Sequence, residues 1–174
     1  MIQIRSSPPP ATLDSPIEHL NACHRRIEER LQTLERAGAA LAASPADALA
    51  AIQAVFWFFD TSGAHHTADE EESFFPRLLP NITADERLWL EDLQQEHTRA
   101  EALYDSLKTH VAAMATPPGE AAQARFVELA QALCSLYRQH IANEDARFPS
   151  LAARALSPVS LDAITQEMKL RRGI

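Results

Sequence analysis

Four stretches of this chain repeat apolar residues at intervals of three and four, and on each stripe a histidine stands where the pattern demands a buried side chain. The first stripe reads Ile17, Leu20, His24, Ile27, Leu31, Leu34, and the second Ile52, Val55 or Phe56, Phe59, Gly63, His66, Glu70, Phe74. The third reads Leu90, Leu93, His97, Ala100, Tyr104, Leu107, and the fourth Leu129, Leu133, Tyr137, His140, Glu144, Phe148. In the second and fourth, a glutamate follows the histidine one helical turn later, on the same face.

The punctuation between the stripes is that of long helices. Ser15, Pro16 and Glu18 write a helix start, with serine as cap, proline at the first helical position and glutamate completing a capping box. The first helix is expected from Pro16 to about Ala43. Ser44-Pro45 opens a second that runs to Pro76, where the ring is expected to stop or kink it. Thr83 or Asp85 caps a third that reaches about Ala115. Pro117-Pro118-Gly119 separates it from a fourth, from about Glu120 through Arg147 to Pro149. A short amphipathic helix from about Ser160 to Leu170 closes the chain. Only four glycines occur, which suits helices better than a turn-rich sheet protein.

The expected fold is therefore all-α, an antiparallel up-down-up-down four-helix bundle with a short C-terminal helix. Its parts are an extended arm over residues 1–14, where consecutive prolines disfavour helix, a bundle over 15–156 and a tail helix over 157–174. In such a bundle His24 and His97 lie near the starts of their helices, and His66 and His140 towards the ends of theirs. All four then come to one level.

Four inward histidines and two inward glutamates need a common explanation, because an uncompensated buried carboxylate costs several kcal/mol, on the order of the whole margin of stability. A shared cation removes that cost. Imidazole and carboxylate donors suit iron, zinc or manganese, and the absence of inward thiolates argues against a cysteine-type structural zinc site.

These residues resemble the hemerythrin family, and in particular bacterial hemerythrin-like domains that bind cations through a His, His-Glu, His, His-Glu pattern. The matching segments are HRRIEERL at His24, HHTADEEESFFPRL from His66 to Glu70, EHTRAEAL at His97 and HIANEDARFPSL from His140 to Glu144. They span nearly all of Pro16 to Leu151. The resemblance implies terminal iron ligation by His24, His66, His97 and His140, with Glu70 and Glu144 bridging two non-haem irons. It implies a small diatomic or peroxide ligand (dioxygen, nitric oxide or peroxide) and a role in sensing, storage or stress response. An iron-dependent redox enzyme, an iron donor for repair of damaged centres, and a structural bundle with a vestigial site are the alternatives.

The pattern departs from the family in two places. Glu144 stands five residues before Pro149, whereas Glu70 stands six before Pro76, so Glu71 is the alternative acid unless a π-bulge absorbs the extra residue. The additional helix-three histidine of oxygen carriers is missing, since Leu93 and Glu101 flank His97 by a turn; Glu101 or water is left to fill that place. Redox chemistry or sensing is thereby favoured over reversible oxygen transport. His65 is read as a residue behind the ligands, a surface residue or a fifth ligand, and His19, off the stripe, as a rim residue. His110 is read as a solvated residue at a helix C-terminus.

Tyr104 and Tyr137 are read as core residues with locally bonded hydroxyls, or as hydrogen-bonding partners of a ligand. Cys23 and Cys134 are read as buried thiols without chemistry, and the charged runs, including Lys169, Arg171 and Arg172, as solvated faces. A net charge of −8 argues against nucleic acid as a partner. No apolar run of roughly 18 residues or signal sequence is present, so no membrane association and a cytoplasmic location are expected. The sequence names no protein partner.

Overall fold

The computed structural model describes residues 15–174, so the arm expected over 1–14 lies outside the described residues. Helix α1 (Pro16–Ala40) begins as anticipated: the Ser15 side chain accepts a hydrogen bond from the Glu18 backbone N–H, with Pro16 in the first turn. The second stripe forms a nearly continuous rod. It comprises α2 (Pro45–Phe58), a π-helical stretch (Phe59–Gly63), α3 (Ala64–Ala68), a second π-helical stretch (Asp69–Phe74), α4 (Phe75–Leu78) and a closing 3-10 turn (Leu79–Asn81).

Helix α5 (Ala84–Ala113) starts on a full capping box in which Thr83, not Asp85, is the cap: its backbone N–H donates to Glu86 Oε2 at 2.8 Å and its hydroxyl accepts from the Glu86 N–H at 3.3 Å. Helix α6 (Glu120–Ala155) follows, and α7 (Pro158–Arg171) is capped by Ser157. No strand occurs among the described residues.

Pro76, where a stop or kink was expected, and Pro149, where the fourth helix was expected to end, both lie within helical segments. Pro76 sits in the first turn of α4, directly after the second π stretch, and Pro149 lies inside α6. The wider π turn gives the ring of Pro76 room that a regular α turn denies it. Around Pro149, burial of Phe148, Leu151, Ala152 and Ala155 offsets the missing backbone bond.

Helix α1 packs against α2 and α6, and α5 against α6. The interior divides into two apolar clusters. One gathers Ile27, Leu31, Leu34, Ile52, Phe59, Leu107, Phe126, Leu133 and Cys134; the other gathers Leu20, Phe74, Phe75, Leu90, Leu93, Phe148, Ile164 and Met168. Each long element crosses between them, and the crossing point is polar. Helix α1 passes from Leu20 in the second cluster to Ile27 in the first with His24 between, and the rod returns from Phe59 to Phe74 through His66 and Glu70. Helix α5 goes from Leu93 to Ala100 through His97, and α6 from Cys134 to Phe148 through His140 and Glu144. Among the described residues no helix is long and apolar enough to cross a membrane.

Candidate metal centre

All six residues singled out on the stripes meet in the layer between the two apolar clusters. His24, His66, Glu70 and Glu144 bring one donor atom each within 4.8 Å of one another, and Glu70, His97 and His140 do the same. Glu70 belongs to both groups. Its Oε1 lies 3.1 Å from His66 Nε2 and 3.9 Å from His24 Nε2, while its Oε2 lies 3.2 Å from His97 Nε2. Glu144 Oε2 is 3.2 Å from His24 Nε2 and 3.4 Å from His140 Nε2. The two glutamates are essentially sealed from solvent, at 0% and 2% exposure.

The one-turn spacing of each histidine–glutamate pair produces this. His66 and Glu70, and His140 and Glu144, stand four residues apart and so share a face. The second π stretch begins at Asp69, and the Phe75 backbone N–H donates to the Glu70 carbonyl, five residues back. That widened turn takes up the extra residue between Glu70 and Pro76, so Glu70 keeps its place opposite His66. Glu71 points elsewhere, with its Oε1 2.7 Å from His97 Nδ1 and its side chain 34% exposed.

Glu71 is one of three acids that back the imidazoles. His24 Nδ1 is 2.8 Å from Asp145 Oδ1, His97 Nδ1 is 2.7 Å from Glu71 Oε1, and His140 Nδ1 is 2.9 Å from Glu96 Oε2. A carboxylate can only accept, so each Nδ1 carries the hydrogen, and each ring, when neutral, turns its Nε2 lone pair to the centre. His97 Nε2 and His140 Nε2 then face each other at 3.1 Å. Two lone pairs repel at that distance unless a proton or a cation lies between them. His66 differs: its Nδ1 is buried without a hydrogen-bond partner.

The donor set fits a metal. Both oxygens of Glu70, both of Glu144 and Nε2 of His24 are buried without a hydrogen bond of normal geometry, and all belong to the same converging group. Without a metal, protons must do the compensating. Burial pulls His24 down, yet Glu144 and Glu70 beside it lift its pKa to about 11. Burial likewise opposes ionisation of His97, which Glu70 and Glu71 raise to about 9, and of His140, which Glu144 raises. His66 falls to about 4, because burial outweighs the pull of Glu70 and the His24 charge adds to it. Burial pushes the carboxyl of Glu70 upward, but His66, His24 and His97 hold it well below the usual range; Glu144 is also lowered, against burial and Glu70, by His140 and His24.

Other expectations resolve differently. His19 is not a rim residue: it is buried, next in sequence to Leu20, which shares an apolar cluster with Ile164 and Met168 of α7. His65 is half-buried and outside both donor groups, and burial, then Arg172, lowers its pKa. His110 Nε2 bonds the Ala122 carbonyl at 2.8 Å rather than water alone. Glu101 is exposed and outside the donor groups. The Tyr104 hydroxyl lies 2.9 Å from both the Phe56 carbonyl and Asp60 Oδ1, a local bond away from the donors. Tyr137 packs on Phe59, with ring centroids 5.2 Å apart, and burial raises its pKa. Cys23 and Cys134 are buried and reduced, and burial pushes the Cys134 thiol to about 12. Arg171 and Arg172 are not solvated: both bind the buried Asp69.

Glu96, Asp145 and Asp69 were the residues the stripes did not mark. A signal existed, because each stands next in sequence to a donor: Glu96 precedes His97, Asp145 follows Glu144 and Asp69 precedes Glu70. Two cavities border the centre. One, of about 560 Å³, is lined by His24, Asp145, Arg25 and Arg138; the other, of about 470 Å³, by His97, Glu71, Glu101, Tyr104 and Tyr137.

Over residues 15–151 the sequence matches the family model described as the hemerythrin HHE cation-binding domain. No curated protein matches the chain.

Proposed function

The chain belongs to the hemerythrin HHE cation-binding domain family, and from that premise we propose that it holds two non-haem irons and presents them to dioxygen, nitric oxide or peroxide. His24 and His66 would hold one ion and His97 and His140 the other, with Glu70 and Glu144 shared between them. The observation that carries this reading is the position of Glu70, whose two oxygens turn to different pairs of histidines. The alternating passage of the long elements between the two apolar clusters supports an antiparallel, up-down-up-down course of four helices around the centre. In this reading α7 is an appendage to the bundle, and sensing, storage or stress response is the setting.

Bound iron would supply an electron-rich centre that takes up a diatomic or peroxide ligand. The residues do the rest. Asp145, Glu71 and Glu96 fix the tautomer and orientation of three imidazoles and raise their basicity. The apolar clusters above and below exclude water from the layer. The cavity beside His97 gives a small molecule a route to that half of the centre. This opening favours a second reading, a redox enzyme or iron donor, over closed storage.

The test is metal analysis of protein purified without chelator, together with visible absorption before and after reduction and re-exposure to air. Two irons per chain and bands that change with oxidation state are expected. His66→Ala and Glu144→Ala should lower the iron content without abolishing helicity. Full iron occupancy in both variants overturns the ligand assignment, and failure to bind iron after anaerobic ferrous reconstitution overturns the function.

A further inference from the structure

We propose that helix α7 is a splint that holds the second π stretch in register, with Arg171 and Arg172 positioning Glu70 by gripping its neighbour Asp69. The inference rests on the reading of Glu70 as a bridging ligand. The helix it gives a role lies beyond the matched segment 15–151, and the residues it acts on lie within it.

Asp69 is fully buried, and a buried carboxylate is retained only when paired and hydrogen-bonded. Here two guanidinium groups take it. Arg172 binds it through both nitrogens, at 2.6 Å to Oδ2 and 3.1 Å to Oδ1, and Arg171 Nη1 binds Oδ1 as well. The second nitrogen of Arg171 reaches Glu72 Oε2 at 3.1 Å and Ser73 Oγ at 3.2 Å. One arginine fork thus touches three residues of the six-residue π stretch, at its first, fourth and fifth positions.

The splint is itself fixed. Ile164 and Met168 of α7 lie in the same apolar cluster as Phe74 and Phe75, and Arg77 and Glu167 form a paired bridge at 2.7 and 3.0 Å. A π turn is an uncommon and less favourable geometry than the α turn it replaces. Relaxation of this stretch to α geometry would rotate the residues around Glu70 relative to His66. Arg171 and Arg172 oppose that relaxation by tying the carboxylate next to Glu70 to a separate helix. The planar, two-pronged guanidinium suits the task better than a lysine would.

The test uses the full chain loaded anaerobically with ferrous iron, and follows release of iron to a coloured ferrous chelator. Wild-type protein is first required to hold two irons; if it does not, the di-iron reading fails and the splint with it. With that established, Arg171→Gln/Arg172→Gln should release iron about tenfold faster, the lower end of what loss of a ligand-orienting contact costs. Arg172→Lys, which keeps the charge and loses the fork, should fold and release at an intermediate rate. Ile164→Val loosens the packing of α7 in the apolar cluster without touching Asp69, and should release at the wild-type rate. Wild-type release from Arg172→Lys or from the double variant overturns the proposal. Equal acceleration in Ile164→Val also overturns it, because α7 would then act only as general packing.

Discussion

At the scale of single residues, the six side chains that converge, His24, His66, His97, His140, Glu70 and Glu144, stand on apolar stripes, where a buried polar side chain needs a compensating partner, and three of the imidazoles have an acid behind them. Glu96, Asp145 and Glu71 lie off the stripes, where acids are ordinarily solvated, and only the folded chain brings them to the Nδ1 atoms of three imidazoles. Glu96 is the most buried of the three, 7% exposed. Its loss should therefore be felt in the metal rather than only at the surface. Glu96→Gln is expected to weaken metal affinity by about 10- to 100-fold, because the amide cannot raise the basicity of His140 as a carboxylate does. Glu101→Gln, at an exposed position outside the donor groups, should leave affinity unchanged. Competition against a metal-binding dye measures both; a drop in Glu101→Gln would restore Glu101 as a ligand.

At the scale of elements, spacing carried more information than the helix breakers did. Pro76 predicted a stop or kink and Pro149 a helix end, yet both sit within helical segments, the first after a widened π turn and the second among side chains buried strongly enough to outweigh a lost backbone bond. The unequal distances from Glu70 to Pro76 and from Glu144 to Pro149 were the better signal, since they required either a different acid or an extra residue in a widened turn. The structure has the widened turn. A contrast follows from it. Deleting Glu72, which is exposed and lies in the π stretch, should let Asp69–Phe74 close to α geometry while Phe74 and Phe75 keep their places. Deleting the exposed Ala146 from the regular helix α6 should instead rotate Phe148 and Leu151 by about 100° from the core. Thermal unfolding followed by circular dichroism is expected to show a small loss for the first deletion and a large loss, or no folded protein, for the second. Equal losses would mean that the π stretch is not the site of the extra residue.

At the scale of the molecule, the helical class and the meeting of the four histidines at one level were legible in the sequence, because each histidine stands at a matching depth on its stripe. What could not be read was the docking of α7, whose basic end looked like a solvated tail until Asp69, a hundred residues away, supplied its partner. The same convergence concentrates the titrating groups at one level, and this sets a pH dependence for the metal-free protein. His24 and His97 have pKa values raised from 6.5 to about 11 and about 9, and His140 is raised too. Between the unfolded and folded values the native state holds protons that the unfolded state has lost, so their contribution is complete below about pH 6.5 and falls as pH rises. His66, lowered to about 4, and the depressed carboxyls of Glu70 and Glu144 act in the other direction. There the unfolded state binds protons first, and stability is lost as pH falls from about 6.5 through 4 and below. Metal-free protein should therefore be most stable near neutrality, with a urea midpoint that declines on both sides. Metal on the proposed ligands would change the high-pH side, because it would replace the protons on His24, His97 and His140 and bind more tightly as they leave. Loading at pH 7 in weak buffer should release protons, and the loaded protein should keep its urea midpoint from pH 7 to 9 while the metal-free protein loses part of its own. Parallel curves for the two forms over that range would show that the metal does not sit on these imidazoles.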